Sequence, residues 1–376
     1  MKVGIDARPL ISEHTSGIGN YLINILKFCN NSQDVQYILY ANEPLIYHRE
    51  IVDRFEKRII PGKIGTIWLC YKLKKHLYHD CIDVFWGTQH MLPLNTKGIH
   101  LVLTVHDLAL LINPNWGSTQ NAIMQNIFCR RSCKKANVVI ADSASTADDV
   151  SRIIGKNIGD IKTILLGGDD VNKIPQNDFE KIGNKWNISC KEYFLFVGTL
   201  EPRKNIIGII EAFNTYCSNE EGEEKLVLAG GYGWKYRPIL EDIKKSPYKD
   251  RIIITGYVSE IEKQILYSNA IAFVFPSYYE GFGLPVLEAM SYGIPVICTE
   301  TSSLPEVGGE YAYYVKTPTD TMAIYQAMKA IRQLDDFQRT SLSTNEQKWY
   351  KRFSWERCAM ETIKVIKTQQ VVIRCE

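Results

Sequence analysis

The sequence lacks the features that mark several classes of protein. It has no run of 18 apolar residues, which a membrane-spanning helix needs, and its first residues, MKVGIDARPL, include no apolar signal segment. The 44 Lys and Arg against 42 Asp and Glu leave a net charge of only +2, whereas nucleic-acid binders usually carry a strong basic excess. We therefore expect a cytoplasmic protein that does not bind nucleic acid.

The ten cysteines do not form a disulfide or zinc pattern. They are scattered through the chain with no CxxC motif, whereas a disulfide-rich secreted domain is short and dense in cysteine. Cys129 and Cys133 lie four residues apart in a predicted helix, and no nearby histidine completes a zinc set. We interpret the cysteines as reduced thiols and predict no metal site.

Composition and pattern indicate two α/β domains. The 376 residues are 45% apolar and 23% charged, which is typical of globular chains of two or three domains. Short apolar runs alternate with helical patterns, as in parallel sheets whose strands are buried on both faces. The predicted strands are residues 3–5, 37–40, 84–86, 101–105, 138–141, 193–197, 226–229, 252–255, 271–275 and 295–298.

The polar, turn-rich residues 168–185 interrupt this alternation and predict a linker between two doubly wound, Rossmann-like domains. We place the domains at residues 1–170 and 171–350, followed by a C-terminal segment, 351–376, with a helix over residues 354–368. Because ligands of such sheets bind at the carboxyl ends of the strands, we expect the two domains to face each other across a ligand-binding cleft.

The segment FVFPSYYEGFGLPVLEAMSYGIP predicts an anion site after a buried strand. Glu280 lies in a loop with Gly281 and Gly283, a helix begins near Pro285, and Glu288 lies inside that helix. Glycines allow a ligand to approach the backbone, and a helix start favours a diphosphate. On spacing alone, a solvated loop residue and an ordinary helix surface charge remain the simpler interpretation of the two carboxylates.

The segment FLFVGTLEPRKN predicts a second anion site. Arg203 and Lys204 follow a strand, and Asn205 is a plausible cap for a helix over residues 206–216. Arg binds phosphate oxygens bidentately, and Lys acts as a point charge. An exposed basic turn is the alternative, which becomes less attractive because two such segments occur in one domain.

Together these motifs resemble the retaining family 4 glycosyltransferases of the GT-B fold. The resemblance rests on Glu280 and Glu288 within YEGFGLPVLEAM, on GTLEPRKN upstream and on SSLPEVGG downstream. MKVGIDAR and SGIGNYL resemble the family's N-terminal strand and glycine loop, and ADSASTADDV resembles an element near the end of its first domain. FSWERCAMETIKVI resembles its C-terminal helices, which implies that the last segment packs back on the N-terminal domain. The resemblance implies a nucleotide sugar as donor and residues 1–170 as the acceptor-binding domain.

The resemblance implies roles for individual residues. Arg203 and Lys204 would hold the donor diphosphate, Glu280 would contact the donor sugar, and Glu288 would bind the ribose hydroxyls. The backbone at Val258 would meet the base, which Glu260 helps to recognise. Further donor-binding positions are Gly17, Gly19, Thr199, Gly281, Phe282, Gly283 and Leu284.

Two further features concern catalysis. His106 ends a strand of the first domain, where a histidine of the family contacts the donor sugar or acceptor; by itself, a strand-end histidine is more often structural. Gly198-Thr199 stands where many relatives have Gly-Arg, so one phosphate cation is missing. The chain has no Asp-x-Asp triplet, and cations with a helix dipole can neutralise the leaving group without metal. We expect no cofactor and a front-face, retaining mechanism.

The motifs most resemble bacterial mannosyltransferases of O-antigen and other surface polysaccharides. This implies GDP-mannose as donor and a lipid-linked glycan as acceptor. Rhamnosyl- and glucosyltransferases that use dTDP- or UDP-sugars share most of the motifs and remain an alternative, as does a non-catalytic sugar-binding module. A phosphorylase or an epimerase on a similar scaffold is a further alternative, although nothing marks the pyridoxal lysine that a phosphorylase needs. The sequence does not indicate an oligomeric state.

A basic segment predicts contact with the inner leaflet of the membrane. Residues 54–75 hold seven Lys and Arg against only Glu56, with apolar and aromatic residues between them. This composition fits an interfacial helix on anionic lipid, and a solvated basic face with a buried apolar side fits equally well. The residues predicted to form this membrane or acceptor patch are Lys63, Trp68, Lys72, Lys74 and Lys75.

Overall fold

The structure is a computed structural model that describes residues 1–13, 16–169 and 179–368. Over these residues the chain forms two compact units. The first unit comprises Met1–Pro114, Thr119–Gly167 and the described part of Phe353–Glu376. The second unit comprises Asn115–Ser118 and the described part of Gly168–Arg352.

The first unit is built on a parallel sheet of seven strands. In chain order these are β1 (Lys2–Asp6), β2 (Gln36–Ala41), β3 (Glu56–Ile59), β4 (Val84–Gly87), β5 (His100–Val105), β6 (Val138–Ala141) and β7 (Ile161–Thr163). Their order across the sheet is β3-β2-β1-β4-β5-β6-β7, and all neighbours run parallel. The strand order reverses between β1 and β4, which is where open α/β sheets bind ligands.

Helices cover both faces of this sheet. They are α1 (Gly17–Phe28), α2 (Arg49–Val52), α3 (Gly65–Ile67), α4 (Leu73–His79), α5 (Ala109–Ile112), α6 (Thr119–Met124), α7 (Arg130–Lys135) and α8 (Ala144–Asp149), with 3₁₀ turns at Arg8–Leu10 and Ile158–Asp160. A further 3₁₀ turn, Pro114–Trp116, has its last two residues in the second unit. One-turn π segments, Trp68–Lys72, Gln125–Cys129 and Val150–Ile154, continue α3, α6 and α8. The apolar face of α1 is buried, and Ser16 caps the helix by accepting a hydrogen bond from the Gly19 N–H.

The second unit is built on a parallel sheet of six strands. These are β8 (Tyr193–Val197), β9 (Lys225–Ala229), β10 (Ile252–Gly256), β11 (Ala272–Phe275), β12 (Val296–Thr299) and β13 (Tyr313–Val315), in the order β10-β9-β8-β11-β12-β13. The helices are α9 (Phe179–Trp186), α10 (Ile206–Asn219), α11 (Arg237–Lys245), α12 (Glu260–Asn269), α13 (Leu284–Ser291), α14 (Leu304–Gly308), α15 (Thr321–Arg332) and α16 (Asp336–Tyr350), with 3₁₀ turns at Pro202–Lys204 and Lys249–Arg251. The strand order reverses between β8 and β11.

The last helix, α17 (Trp355–Lys367), belongs to the first unit and packs against α1. The rings of Tyr21 and Trp355 lie 6.4 Å apart. Gly167 allows close approach, because a Cβ there would lie 2.1 Å from the backbone nitrogen of Trp355. Residues 353–368 therefore complete the unit that the N-terminus begins.

Each of the ten predicted apolar runs coincides with a strand to within one residue, which confirms two Rossmann-like α/β folds. The sequence did not predict β3, β7 and β13, which are short edge strands with partly exposed side chains. The linker predicted over residues 168–185 needs correction, because α9 occupies its last part and buries Ile182. Residues 170–178 of that segment lie outside the described chain.

Candidate active site

The two predicted anion segments meet at one edge of the second sheet. Residues 198–205 follow β8 and residues 276–283 follow β11, which are neighbouring parallel strands on either side of the point where the strand order reverses. The N–H of Tyr278 donates a hydrogen bond to the carbonyl of Arg203, so the two loops are joined directly. This is the edge at which ligands of such sheets bind.

Arg203, Lys204 and Glu280 form a buried charged cluster at this edge. Arg203 Nη1 lies 3.0 Å from Glu280 Oε2, and Lys204 Nζ lies 2.6 Å from Glu280 Oε1. Arg203 also bonds Glu201 Oε1 at 2.8 Å and the Tyr279 carbonyl at 2.8 Å. Two cations and two carboxylates therefore face one another. The alternatives of an exposed basic turn and a solvated loop carboxylate do not describe this arrangement.

The cluster holds Glu280 in its charged form. Burial by itself would raise the pKa of Glu280, but Arg203 and Lys204 outweigh it and lower that pKa to about 2. Burial lowers the pKa of Lys204, an effect that Arg203 reinforces and Glu280 opposes. The ammonium group also lies 4.8 Å from the centroid of the Phe275 ring, a cation–π distance. Glu280 is thus an ionised carboxylate across the physiological pH range.

Two serines fix the backbone of the Glu280 loop. The Ser303 hydroxyl shares its one hydrogen between the carbonyls of Glu280 and Phe282, which lie 2.9 and 2.8 Å from Oγ, and Ser302 Oγ accepts from the Glu280 N–H at 2.9 Å. Gly283, the residue before α13, has φ 107°, which favours glycine. The segment SSLPEVGG therefore positions the loop that carries the carboxylate.

The predicted cap of α10 is wrong. Asn205 adopts a left-handed conformation and makes no side-chain capping bond; its amide instead donates to the Pro318 carbonyl at 2.6 Å. A Cβ at Gly208 would lie 2.6 Å from that amide nitrogen, so this glycine leaves room for the Asn205 side chain. The helix itself begins at the predicted position.

Glu288 belongs to a second charged group on the same unit. Lys263 Nζ lies 3.0 Å from both Glu288 Oε1 and Glu260 Oε1, so it bridges α13 and α12. Burial raises the pKa of Glu288 despite the Lys263 charge. Val258, the predicted base-contacting residue, is buried just before α12. Glu288 is therefore a bonded, partly buried carboxylate, unlike an ordinary surface charge.

The remaining positions that were predicted to bind the donor in this unit differ in exposure. Phe282 and Gly281 are buried within the Glu280 loop, and Leu284 begins α13. Thr199 is exposed just after β8. Its methyl group packs against Gly233 in the loop after β9. A Cβ added to Gly233 would lie 2.5 Å from this methyl group.

His106 of the first unit is held by two acceptors. Its Nδ1 lies 2.6 Å from Asp142 Oδ2, and its Nε2 lies 3.0 Å from the Thr88 carbonyl. Burial lowers the pKa of His106, but Asp142 outweighs burial and raises it. Because both partners accept hydrogen bonds, this geometry favours the doubly protonated ring. A contact with sugar stays a prediction.

Gly17 and Gly19 form the first turn of α1 and not a loop. Gly17 is exposed with no atom within 4 Å of its Cβ position, and Gly19 is buried. The expectation of a glycine loop is corrected because Ser16 caps a helix that begins at Gly17.

The residues of the predicted membrane patch differ in exposure, and its aromatic residue does not reach the surface. Lys63, Lys72 and Lys75 are exposed, and Lys74 is half-buried with its ammonium 5.9 Å from the Tyr78 ring. Trp68 is buried, and its indole N–H donates to the Ile60 carbonyl at 2.6 Å. The segment is also not helical throughout, since it begins with β3, and the continuous helix formed by α3, the π turn and α4 starts only at Gly65.

Other apolar side chains occupy the exposed face instead. Ile64, Ile67 and Tyr71 are 58%, 50% and 65% exposed. Within the described residues, no helix is long and apolar enough to cross a bilayer. The same part of the chain holds no group of three or more His, Cys, Asp or Glu that could bind a metal ion.

Sequence reasoning missed several residues that support the site. Lys263 follows Glu260 by three residues in a helix, a spacing that signals an ion pair. Glu201, Ser302 and Ser303 lie inside the quoted motifs, but only the fold shows which groups they contact. Ser277 lies near Glu280 and helps to lower the pKa of that carboxyl.

Known proteins resemble this chain in sequence. The family model for glycosyl transferases group 1 matches residues 178–349. O-antigen chain mannosyltransferase B of Escherichia coli is 30% identical over 302 residues, which cover 80% of this chain and 76% of that protein. O-antigen chain mannosyltransferase RfbU of Salmonella typhimurium is 29% identical over 252 residues, which cover 66% of this chain and 65% of that protein.

Solved structures share the fold. Anabaena HepE in complex with UDP and glucose matches with a TM-score of 0.74 at 17% identity, over 98% of this chain and all of that chain. The sucrose-phosphate synthase of Thermosynechococcus elongatus matches with a TM-score of 0.75 at 18% identity, over 98% of each chain. The two Rossmann-like units, the charged cluster and the relatives lead to one conclusion: the chain is a glycosyltransferase of the group 1 family with the GT-B fold.

Proposed function

We propose that the protein transfers mannose from GDP-mannose to a hydroxyl of a lipid-linked glycan during synthesis of O-antigen or another surface polysaccharide. The observation that carries this proposal is the buried cluster of Arg203, Lys204 and Glu280, in a chain similar to two O-antigen mannosyltransferases. The cluster combines cations for a diphosphate with a carboxylate for sugar hydroxyls.

The proposed mechanism begins with competition for the two cations. Without donor, Glu280 and Glu201 balance the charges of Arg203 and Lys204. A donor diphosphate competes with these carboxylates, and Glu280 then accepts hydrogen bonds from the sugar. Arg203 and Lys204 stabilise the negative charge that develops on the departing diphosphate in the transition state. Stabilising this charge lowers the barrier to transfer.

We propose that transfer retains the anomeric configuration by a front-face route, in which the departing phosphate takes the acceptor proton. NMR of the product should show the same anomeric configuration as the donor. An inverted product or a trapped covalent glycosyl-enzyme would contradict this route.

Metal independence is part of the proposal. Because side-chain cations face the leaving group, transfer should continue in excess EDTA at an unchanged rate. Loss of transfer that Mn²⁺ or Mg²⁺ restores would show that a metal carries the charge instead.

The donor is identified by a screen of GDP-, UDP- and dTDP-sugars with mass-spectrometric detection, alongside calorimetric titration with GDP, UDP and dTDP. We expect transfer from GDP-mannose and the tightest binding for GDP. Clear preference for UDP or dTDP would favour the glucosyl- or rhamnosyltransferase alternative; HepE, at 17% identity, was solved with UDP and glucose.

The site is tested by Lys204→Ala and Glu280→Ala. Each should lower kcat/KM about 100-fold or more, the size of effect seen when one group that stabilises transition-state charge is removed. Lys244→Ala and Glu241→Ala are matched controls, because both residues are exposed on α11. Full transfer by the two site variants would show that the cluster is not the active site.

We further propose that the exposed face around Ile64, Ile67 and Tyr71 rests on an anionic membrane, where the lipid-linked acceptor lies. Exposed Lys63, Lys72 and Lys75 belong to the same short stretch of chain. Apolar side chains inserted among basic ones are typical of interfacial binding, and each Lys near an anionic surface contributes about 1 kcal/mol.

Vesicle co-sedimentation tests this surface. Binding should require phosphatidylglycerol, and Gln at the three lysines should weaken it, as should Ile64→Ser with Ile67→Ser. Lys57→Gln is the control, since Asp53 already pairs with that lysine. Unchanged binding to the vesicles after neutralisation of the three lysines would refute the proposed membrane surface.

A further inference from the structure

We infer that the loop after β9, residues 230–236 (GGYGWKY), forms a binding subsite for a pyranose ring of the acceptor glycan. This inference rests on the proposed transfer to a glycan, and it concerns residues that neither the motifs nor the charged cluster uses. We call residues 230–236 the aromatic loop.

The aromatic loop exposes two large rings to solvent. Tyr232 and Trp234 are 54% and 42% exposed. The Tyr232 ring stacks on that of Tyr236, with centroids 4.6 Å apart and planes 27° from parallel. Lys235 lies beside them, with its ammonium 6.0 Å from the Trp234 ring. Clustered exposed aromatic rings of this kind usually mark a binding surface.

Backbone hydrogen bonds hold this loop firmly in place. The Leu200 N–H donates to the Gly231 carbonyl at 2.9 Å, and the Gly233 N–H donates to the Leu200 carbonyl at 3.0 Å. The Gly230 N–H donates to the Gly256 carbonyl at the end of β10. The loop is therefore part of the same sheet edge as the charged cluster.

The aromatic loop packs against the residues that lead from β8 to Arg203 and Lys204. A Cβ at Gly233 would lie 2.5 Å from the Thr199 methyl and 3.2 Å from Glu201 Cβ, so only glycine allows this approach. Glu201 pairs in turn with Arg203 at 2.8 Å. Glu201 thus lies between the aromatic loop and the Arg203 guanidinium, which would face the donor diphosphate.

The chemistry of the loop suits a sugar ring. An aromatic face is electron-rich and attracts the C–H groups on one face of a pyranose, while its hydroxyl rim seeks hydrogen bonds. The Tyr232 and Tyr236 hydroxyls and the Lys235 ammonium supply polar partners at the edge of the rings. The nucleotide base is the competing occupant, and the test below separates the two.

The test measures binding of α-mannobiose and α-mannotriose by ligand-observed NMR, with and without GDP. Tyr232→Ala and Trp234→Ala should each raise the dissociation constant about tenfold and leave that of GDP unchanged. Trp234→Phe should stay within about threefold of the wild type, because a ring is kept. Phe337→Ala is the control, since Phe337 is an exposed aromatic residue on α16.

Three results would overturn the inference. They are an unchanged sugar dissociation constant in both alanine variants, no saturable binding of either oligosaccharide by the wild type, and a weaker affinity for GDP instead of the sugars. The outcome does not depend on the donor. A wild type that binds the oligosaccharides through these rings but transfers nothing from GDP-mannose would refute the donor proposal alone.

Discussion

Replacing Glu280 by Gln should change the acid stability of the protein in a defined way. The carboxylate lies 2.6 Å from Lys204 Nζ and 3.0 Å from Arg203 Nη1, and it is almost fully buried. Gln has nearly the same shape but no charge. The variant therefore keeps the packing and loses the attraction to two cations.

The magnitude follows from the pKa of Glu280, which falls from 4.5 to about 2 in the folded protein. At about 1.36 kcal/mol per pH unit, this shift corresponds to about 3 kcal/mol of stabilisation at neutral pH. Because the folded pKa is the lower one, this stabilisation is present above pH 4.5 and is lost as the pH falls towards 2. About 2 kcal/mol of it should be gone at pH 3.

The assay is urea unfolding followed by circular dichroism at pH 7, 5, 4 and 3. The free energy of unfolding of the wild type should fall towards that of Glu280→Gln as the pH falls. Glu241→Gln, at an exposed position on α11, should stay within about 0.5 kcal/mol of the wild type throughout. Parallel curves for the wild type and Glu280→Gln between pH 7 and pH 3 would refute the electrostatic reasoning.

Three further changes test other parts of the structure. Glu346 is fully buried, and neither of its carboxylate oxygens has a hydrogen-bond partner among the described residues. Burial raises the pKa of Glu346, so the charged carboxylate destabilises the folded protein increasingly as the pH rises. Glu346→Gln should therefore raise Tm at pH 8 and not at pH 4; a lower Tm at pH 8 would contradict this. Ser303→Ala should lower kcat about tenfold with Tm changed by only a few degrees, because the Glu280 loop loses its support; unchanged kcat would show that the hydroxyl is dispensable. Asp142→Asn should lower the pKa of His106, as followed by NMR titration, and an unchanged pKa would show that another group holds the imidazolium.

The sequence was sufficient for the strands that are buried on both faces. Such strands are almost wholly apolar, so runs such as YFLFV in β8 stand out from their surroundings. The edge strands β3 and β13 gave no such signal, because one side of an edge strand faces solvent and polar residues such as those of EKRI are tolerated there.

The sequence also indicated most of the charged residues of the candidate site, but not their partners. Arg203, Lys204 and Glu280 stood out because cations and carboxylates follow strands next to glycine or a helix start. Their mutual contacts depend on the placement of β11 beside β8, although about 75 residues separate them in the chain. No local pattern reports such a pairing.

Trp68 illustrates the limit of composition as evidence. A tryptophan among lysines is equally consistent with a side chain on a membrane-facing surface and with a side chain buried in the core. The sequence alone left both interpretations open. The structure shows that the Trp68 ring lies in the core, and the Arg8 guanidinium carbon lies 5.5 Å from the ring centroid. The residues that remain exposed, Ile64, Ile67 and Tyr71, are the ones that the helical turn directs outward.

By itself, the sequence determined the fold class, the order of the main buried strands and most charged residues of the site. It could do so because short stretches of sequence show which residues are buried and which have helix or strand periodicity. Only the tertiary structure decided which charges neutralise each other and which aromatic rings remain exposed. Those properties arise when distant strands become neighbours, and free energies of burial and charge pairing are set by these neighbours and not by the residue alone.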